Sequence, residues 1–189
     1  MIVEYFVDIE LRPNPEIAGH QLLAALYTKL HNALSARTGS GIAVCFPDYR
    51  TSPLSLGSRL RLLGNEPALK TLMSPDSLGG LRDHVNVSAA SKVPTNATHR
   101  ALRRVQAKSN PERLRRRVMS RHGLDQTQAR ERIPDTAAEM LHLPFLQLRS
   151  GSTGHTFRLF LSLSAAQPKA ITGDFNAYGF SQTATIPWF

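Results

Sequence analysis

A chain does chemistry where a side chain moves a proton, holds an ion or attacks an electrophile, and few residues of this sequence are spaced for any of the three. The seven histidines (His20, His31, His84, His99, His122, His142 and His155) show no HExxH or paired-ligand spacing, and the single cysteine, Cys45, cannot build a cysteine-based zinc site. The sequence contains neither a GxSxG elbow nor a Walker loop. Acid–base chemistry without a metal remains. His31 lies four residues after Tyr27, at the border of a stripe formed by Leu22, Leu26, Leu30 and Leu34. A histidine at such a border is half-buried yet able to reach a cleft, and imidazole ordinarily titrates near neutral pH, which makes His31 a candidate general base. A structural or simply exposed histidine fits the same position. Ser150-Gly151-Ser152-Thr153-Gly154 is a glycine-flanked run of hydroxyls. Such a turn can hold a phosphate through Ser150, Ser152, Thr153 and backbone N–H groups, although a plain connecting loop has the same composition.

The strongest signal is electrostatic. The chain carries 23 Lys and Arg against 14 Asp and Glu, a net charge of +9. Residues 100–121 alone hold Arg100, Arg103, Arg104, Lys108, Arg113, Arg115, Arg116, Arg117 and Arg121 against Glu112, so nearly all of the excess sits in one segment. Ordinary surfaces intersperse both signs, and a near-neutral body with one arginine-rich stretch fits a polyanion-binding protein. At 100° per residue, Arg113, Arg116, Arg117, Ser120 and Arg121 share one side of a helix, while Leu114 and Val118 lie together about a quarter-turn away and can anchor it. That pattern indicates nucleic acid without choosing between DNA and RNA. Just ahead of it, Arg104 and Gln106 alternate about Val105. Arginine can pair with the guanine O6/N7 edge and glutamine with the adenine N6/N7 edge.

These residues need a frame. Val3, Tyr5, Val7, Ile9 and Leu11 alternate as a strand that Pro13 ends, and the leucine stripe predicts an amphipathic helix over 15–37 closed by Gly39. Ile42 to Phe46 and Arg59 to Leu63 read as strands, Glu66 to Met73 as a helix opened by Pro67, and Val85 with Val87 as a fourth strand. Strand, helix, strand, strand, helix, strand is the ferredoxin-like order, an α+β arrangement with helices on one antiparallel sheet. Residues 88–99 are small and polar with one proline and predict a linker, dividing the chain near residue 96. Beyond it, Pro111 and Glu112 open the arginine helix, which Gly123 stops. Asp125 caps a second helix through Arg132, with a short helical stretch after Pro134 up to His142. Residues 145–148 and 156–163 read as strands.

At 41% hydrophobic and 20% charged, the chain can bury a core. No apolar run approaches the about 18 residues of a membrane span, and the N-terminus is not basic, so neither a membrane anchor nor a secretory signal is expected. A single cysteine suits a reducing, cytoplasmic setting.

The stretch RVQAKSNPERLRRRVMSRH, followed by RIPDT, LPF, LRSGSTGHTFRLF and a terminal PWF, with DIELRPNPE and KLHNAL near the start, resembles the CRISPR repeat-processing endoribonucleases of type I-F systems. The resemblance spans nearly the entire chain. It implies a ferredoxin-like domain over 1–96 followed by a smaller α/β RNA-binding domain over 97–189 that carries the arginine-rich helix. It also implies a cut, independent of metal and of any cofactor, at the 3′ base of a repeat hairpin in precursor CRISPR RNA. The attacking group would be the 2′-OH of the upstream nucleotide, leaving a 2′,3′-cyclic phosphate and a 5′-hydroxyl. The enzyme would then stay on the mature crRNA among the other subunits of a surveillance complex. Carried over by matching positions, His31 transfers the proton, Ser150 holds the 2′-OH and Tyr178 stands near the histidine. Arg104 and Gln106 read bases at the foot of the stem, Phe157 stacks on its closing pair, and Arg116, Arg117, Arg121 and His122 face the groove. Ser120 departs from the pattern, standing where an arginine is expected. Two other readings fit the residues: a non-catalytic hairpin-binding subunit, and a DNA-binding regulator using the 112–142 helices as a helix-turn-helix.

Overall fold

The computed structural model describes residues 3–37, 41–74, 77–106, 111–135, 141–151 and 153–189, and mixes helices with strands along the chain. Its first sheet is built from β1 (Tyr5–Leu11), β2 (Ala43–Cys45), β5 (Arg59–Gly64), β6 (Val85–Val87) and β7 (Ser91–Lys92), in the order β2-β5-β1-β6, with β7 also pairing β1. Every pair is antiparallel, with Val7 opposite Leu62 and Ile9 opposite Leu60. The period of two therefore sends Val7, Ile9, Leu60 and Leu62 into one core. α1 (Gly19–Ser35) and α2 (Glu66–Leu72) pack against these strands, α1 burying the whole predicted stripe of Leu22, Leu26, Leu30 and Leu34 together with Leu23 and Tyr27. β3 (Arg50–Thr51) and β4 (Leu54–Ser55) form a small hairpin that the sequence did not announce.

α1 begins at Gly19 and not at Pro15. The Asn14 side chain accepts from the amides of Glu16 and Ile17, turning the chain locally and competing with a helical first turn. Residues 88–99 are not a linker either. β7 closes against β1, and β8 (Thr98–Arg100) pairs with β12 (Ile186–Trp188), Thr98 opposite Trp188. β9 (Leu102–Val105) joins β10 (Phe145–Arg149) and β11 (Thr156–Leu163) in the order β10-β11-β9. The chain forms two compact units, residues 1–104 with 143–189 and residues 105–142. The strands near the C-terminus belong to the first of these units.

The second unit contains α3 (Pro111–His122) and α4 (Gln126–Arg132). Gly123, at φ +63, ends α3 where predicted, and Asp125 caps α4 in a reciprocal box with Gln128. Leu114 and Val118 are only half-buried. The side chain that α3 buries is Arg115, which donates from Nε to the Ile133 carbonyl at 2.7 Å and from Nη2 to Asp135 at 2.7 Å. It belongs to the interior of the helix pair, not to its charged face. Part of the helical stretch expected before His142, residues 136–140, lies outside the described residues.

Candidate active site

α1 carries Tyr27 and His31 one turn apart, so their rings lie nearly parallel, 6° apart in plane with centroids separated by 6.3 Å. Tyr27 is buried and also stacks on Phe180, whereas His31 is half-exposed. Against the His31 ring lies Tyr178, 4.2 Å away and within 12° of parallel. His31 Nδ1 stands 2.9 Å from the backbone carbonyl of Ala177. A carbonyl only accepts, so Nδ1 carries the hydrogen and donates it, and in the neutral ring Nε2 is left with the lone pair. Ser35 Oγ lies 3.3 Å from the same Nδ1. In this tautomer Nε2 is the basic atom of the ring.

The loop that supplies the Ala177 carbonyl is tied from several sides. The Tyr27 hydroxyl donates to the Tyr178 carbonyl at 3.0 Å, and the amide of Val44 donates to the Gly179 carbonyl at 2.9 Å. Within the loop the Asn176 side chain accepts from the amides of Tyr178 and Phe180. Gly179 takes φ +75, and a Cβ there would run into the Val44 side chain, so both backbone shape and close approach require glycine. Burial pushes the Tyr27 phenol pKa far up, with Tyr178 adding to the rise and Arg104 opposing it, so the hydroxyl remains a donor.

Arg104, on β9, sets its guanidinium 5.1 Å from the Tyr178 ring and 5.9 Å from the Phe157 ring of β11. His31, Tyr178, Arg104 and Phe157, far apart in sequence, thus form one contiguous group. Ser150 follows the last residue of β10, two positions past Leu148, whose cross-strand partner is Phe157. Its Oγ accepts from the Thr153 amide, its own amide donates to the His155 carbonyl, and its carbonyl accepts from the Gly154 amide. Three backbone N–H groups of this turn, those of Ser150, Thr153 and Gly154, are therefore engaged within it. Thr153 is exposed, and Ser152 lies outside the described residues.

In the second unit, Arg113, Arg116, Arg117, Ser120, Arg121 and His122 are all exposed, and Gln106 is exposed at the unit's start. Among the described residues no three His, Cys, Asp or Glu side chains gather as a metal site. Cys45 is buried, and burial pushes its thiol up to about 12, so it is no nucleophile. Three participants escaped the sequence reading: the Tyr27 hydroxyl, the Asn176 side chain and the Ala177 carbonyl. Tyr27 at i−4 from His31 and the Asn-Ala-Tyr-Gly turn were visible as residues, but a backbone carbonyl has no signature in sequence.

The family model described as CRISPR-associated protein (Cas_Csy4) matches residues 6–189. A CRISPR-associated endonuclease Cas6/Csy4 from Pseudomonas aeruginosa (strain UCBPP-PA14) is 48% identical over 187 residues, covering 99% of this chain and 100% of that relative. A second Cas6/Csy4 endonuclease, from Escherichia coli (strain UTI89 / UPEC), is 40% identical with the same coverage. A solved structure of the CRISPR endoribonuclease Cse3 bound to a 19 nt RNA aligns over 98% of this chain and 100% of that one, at TM-score 0.37 and 11% identity, too slight a likeness to argue from. On a family match across nearly its full length, and on two relatives that it covers from end to end, the chain belongs to the Cas_Csy4 family of CRISPR-associated proteins.

Proposed function

We propose that this chain is a CRISPR-associated endoribonuclease that matures crRNA, binding the repeat hairpin of the precursor and cutting at the 3′ base of its stem without a metal or cofactor. The observation that carries the reading is the His31 ring, held by the Ala177 carbonyl at Nδ1 with Nε2 left as the base. Nε2 takes the proton of the upstream 2′-OH, the 2′-oxygen forms a bond to phosphorus, and the bond from phosphorus to the 5′-oxygen breaks as that oxygen takes a proton from solvent, to which the imidazolium then returns its own. No water is consumed, and the products are a 2′,3′-cyclic phosphate and a 5′-hydroxyl. Ser150 orients the 2′-OH, and Tyr178 stacks on His31 to keep its plane.

Recognition follows from the exposed groups. Arg113, Arg116, Arg117, Arg121 and His122 meet phosphates along the stem groove, with the hydroxyls of Ser152 and Thr153 beside the cut. Arg104 and Gln106 read base edges at the foot of the stem, and Phe157 stacks on the closing pair. Apart from His31, every residue assigned to the RNA lies beyond position 96, the functional sense of the division into 1–96 and 97–189. The strand order β2-β5-β1-β6, antiparallel throughout with both helices packed on it, supports a ferredoxin-like reading of the first part. After cleavage the protein keeps its crRNA and joins the other subunits of a type I-F complex in the cytoplasm.

The test is incubation with the cognate repeat hairpin in excess EDTA, beside a substrate carrying 2′-deoxy at the nucleotide before the cut. Full cleavage of the first and intact binding without cleavage of the second are expected. Dependence on added magnesium, or cutting of the deoxy substrate, overturns the mechanism. Binding of the unmodified hairpin without any cleavage marks a holding subunit instead.

A further inference from the structure

We propose that Tyr27 is a positioning residue for this reaction: its hydroxyl suspends the 176–180 loop so that the Ala177 carbonyl keeps the His31 hydrogen on Nδ1 and Nε2 free to take a proton. The inference rests on the function proposed above and adds a residue to its machinery.

An isolated neutral imidazole holds its hydrogen on either nitrogen, and only one tautomer leaves Nε2 basic. The hydrogen bond made by the other nitrogen decides which form is present. Here that bond goes to a main-chain carbonyl, so the tautomer is only as well fixed as the loop. The Tyr27 hydroxyl reaches the Tyr178 carbonyl, one peptide beyond Ala177, from the same helix that carries His31. Base and carbonyl are thereby referred to one rigid element, a single turn of α1. Among the described residues, the other hydrogen bonds of the loop run to the Val44 amide and within the loop itself, through the Asn176 side chain and backbone, so only those of Tyr27 and His31 tie it to α1. Tyr27 is buried and its ring stacks on Phe180, so Tyr27→Phe removes the hydroxyl and leaves the packing in place.

The experiment uses the full chain carrying Tyr27→Phe, labelled with 15N-histidine, and the His31 resonances are assigned with His31→Ala. Without RNA, at a pH where the ring is neutral, the two-bond nitrogen–proton couplings report which nitrogen is protonated. Wild type should show His31 as the Nδ1–H form and the variant a mixture of both forms. Single-turnover cleavage of the repeat hairpin should slow roughly ten- to hundredfold, as when a buried partner of a functional histidine is lost, with hairpin affinity unchanged. An unchanged tautomer, an unchanged rate, or a loss of affinity as large as the loss of rate overturns the proposal. Should Tyr27→Phe not fold, Asn176→Ala loosens the same loop from an exposed position and is read by the same two measurements. If the wild-type protein cuts no hairpin, the cleavage mechanism fails while the tautomer measurement still decides the role of Tyr27.

Discussion

Arg115 is buried inside the helix pair while the other arginines of α3 are exposed and proposed to meet RNA, and Arg115→Met tests that distinction. The side chain is 7% exposed and makes two bonds at 2.7 Å, while its contact to Glu112 is long at 3.4 Å. Losing the bond to the Ile133 carbonyl removes a charge-assisted hydrogen bond and orphans a carbonyl, about 2 kcal/mol. The Asp135 pair adds about 0.5 kcal/mol at most, because Asp135 is 90% exposed and screened by water. Methionine keeps much of the apolar stem, which limits the cavity term. The sum is about 2–3 kcal/mol, or about 30- to 150-fold in the local opening equilibrium at 1.4 kcal/mol per decade. Amide hydrogen exchange across residues 115–122 should therefore accelerate by that factor in the RNA-free protein. Affinity for the hairpin should fall while the slope of log K against log salt stays at its wild-type value, since no phosphate contact is removed. A salt slope reduced by about one unit with exchange unchanged would make Arg115 a phosphate clamp and refute the reasoning.

His31→Ala should slow single-turnover cleavage by roughly 10²- to 10⁴-fold, with hairpin affinity retained; a wild-type rate would move the proton transfer to another residue, His155 being the next to try. Ser150→Ala should likewise lower rate more than affinity. Arg116→Ala or Arg117→Ala should weaken binding to many stems and flatten the salt dependence by about one unit. Arg104→Ala and Gln106→Ala should instead relax the preference for particular pairs at the stem foot, by roughly 1–3 kcal/mol each, as titration against stem variants at two salt concentrations would show. Cys45 should resist thiol reagents at pH 8 until the protein unfolds. Its raised pKa stabilises the fold fully below the unfolded thiol's value near 8.5, and that contribution is lost as pH climbs toward about 12, measurable by denaturant titration.

What local pattern controls was legible. The stripe of Leu22, Leu26, Leu30 and Leu34 buries as its period requires, and Gly123 and Asp125 end and start helices where their chemistry dictates. What distant pairing controls was not. Ser91 and Lys92 look like linker residues and become strand only because β1 is there to receive them, and Thr98 because Trp188 is. Among the arginines of α3, spacing cannot distinguish Arg115 from Arg116, since the Ile133 carbonyl that accepts from Arg115 lies 18 residues further on. Matching motifs named His31 and Tyr178, but the carbonyl that sets the tautomer of His31 is main chain, and any residue at 177 would present one.

Sequence separation within the site sets an order of assembly. His31 meets Ala177 across 146 residues and Tyr27 meets Tyr178 across 151, whereas the bonds that close the arginine helix pair span at most 20. Contacts between distant residues pay their loop-closure entropy late, and a chain made from its N-terminus acquires its early segments first. During synthesis residues 111–135 are joined to the chain well before 176–180. The arginine helix pair can thus close before His31 has the carbonyl that sets its proton, and the catalytic histidine of the proposed mechanism is among the last groups to acquire its partner.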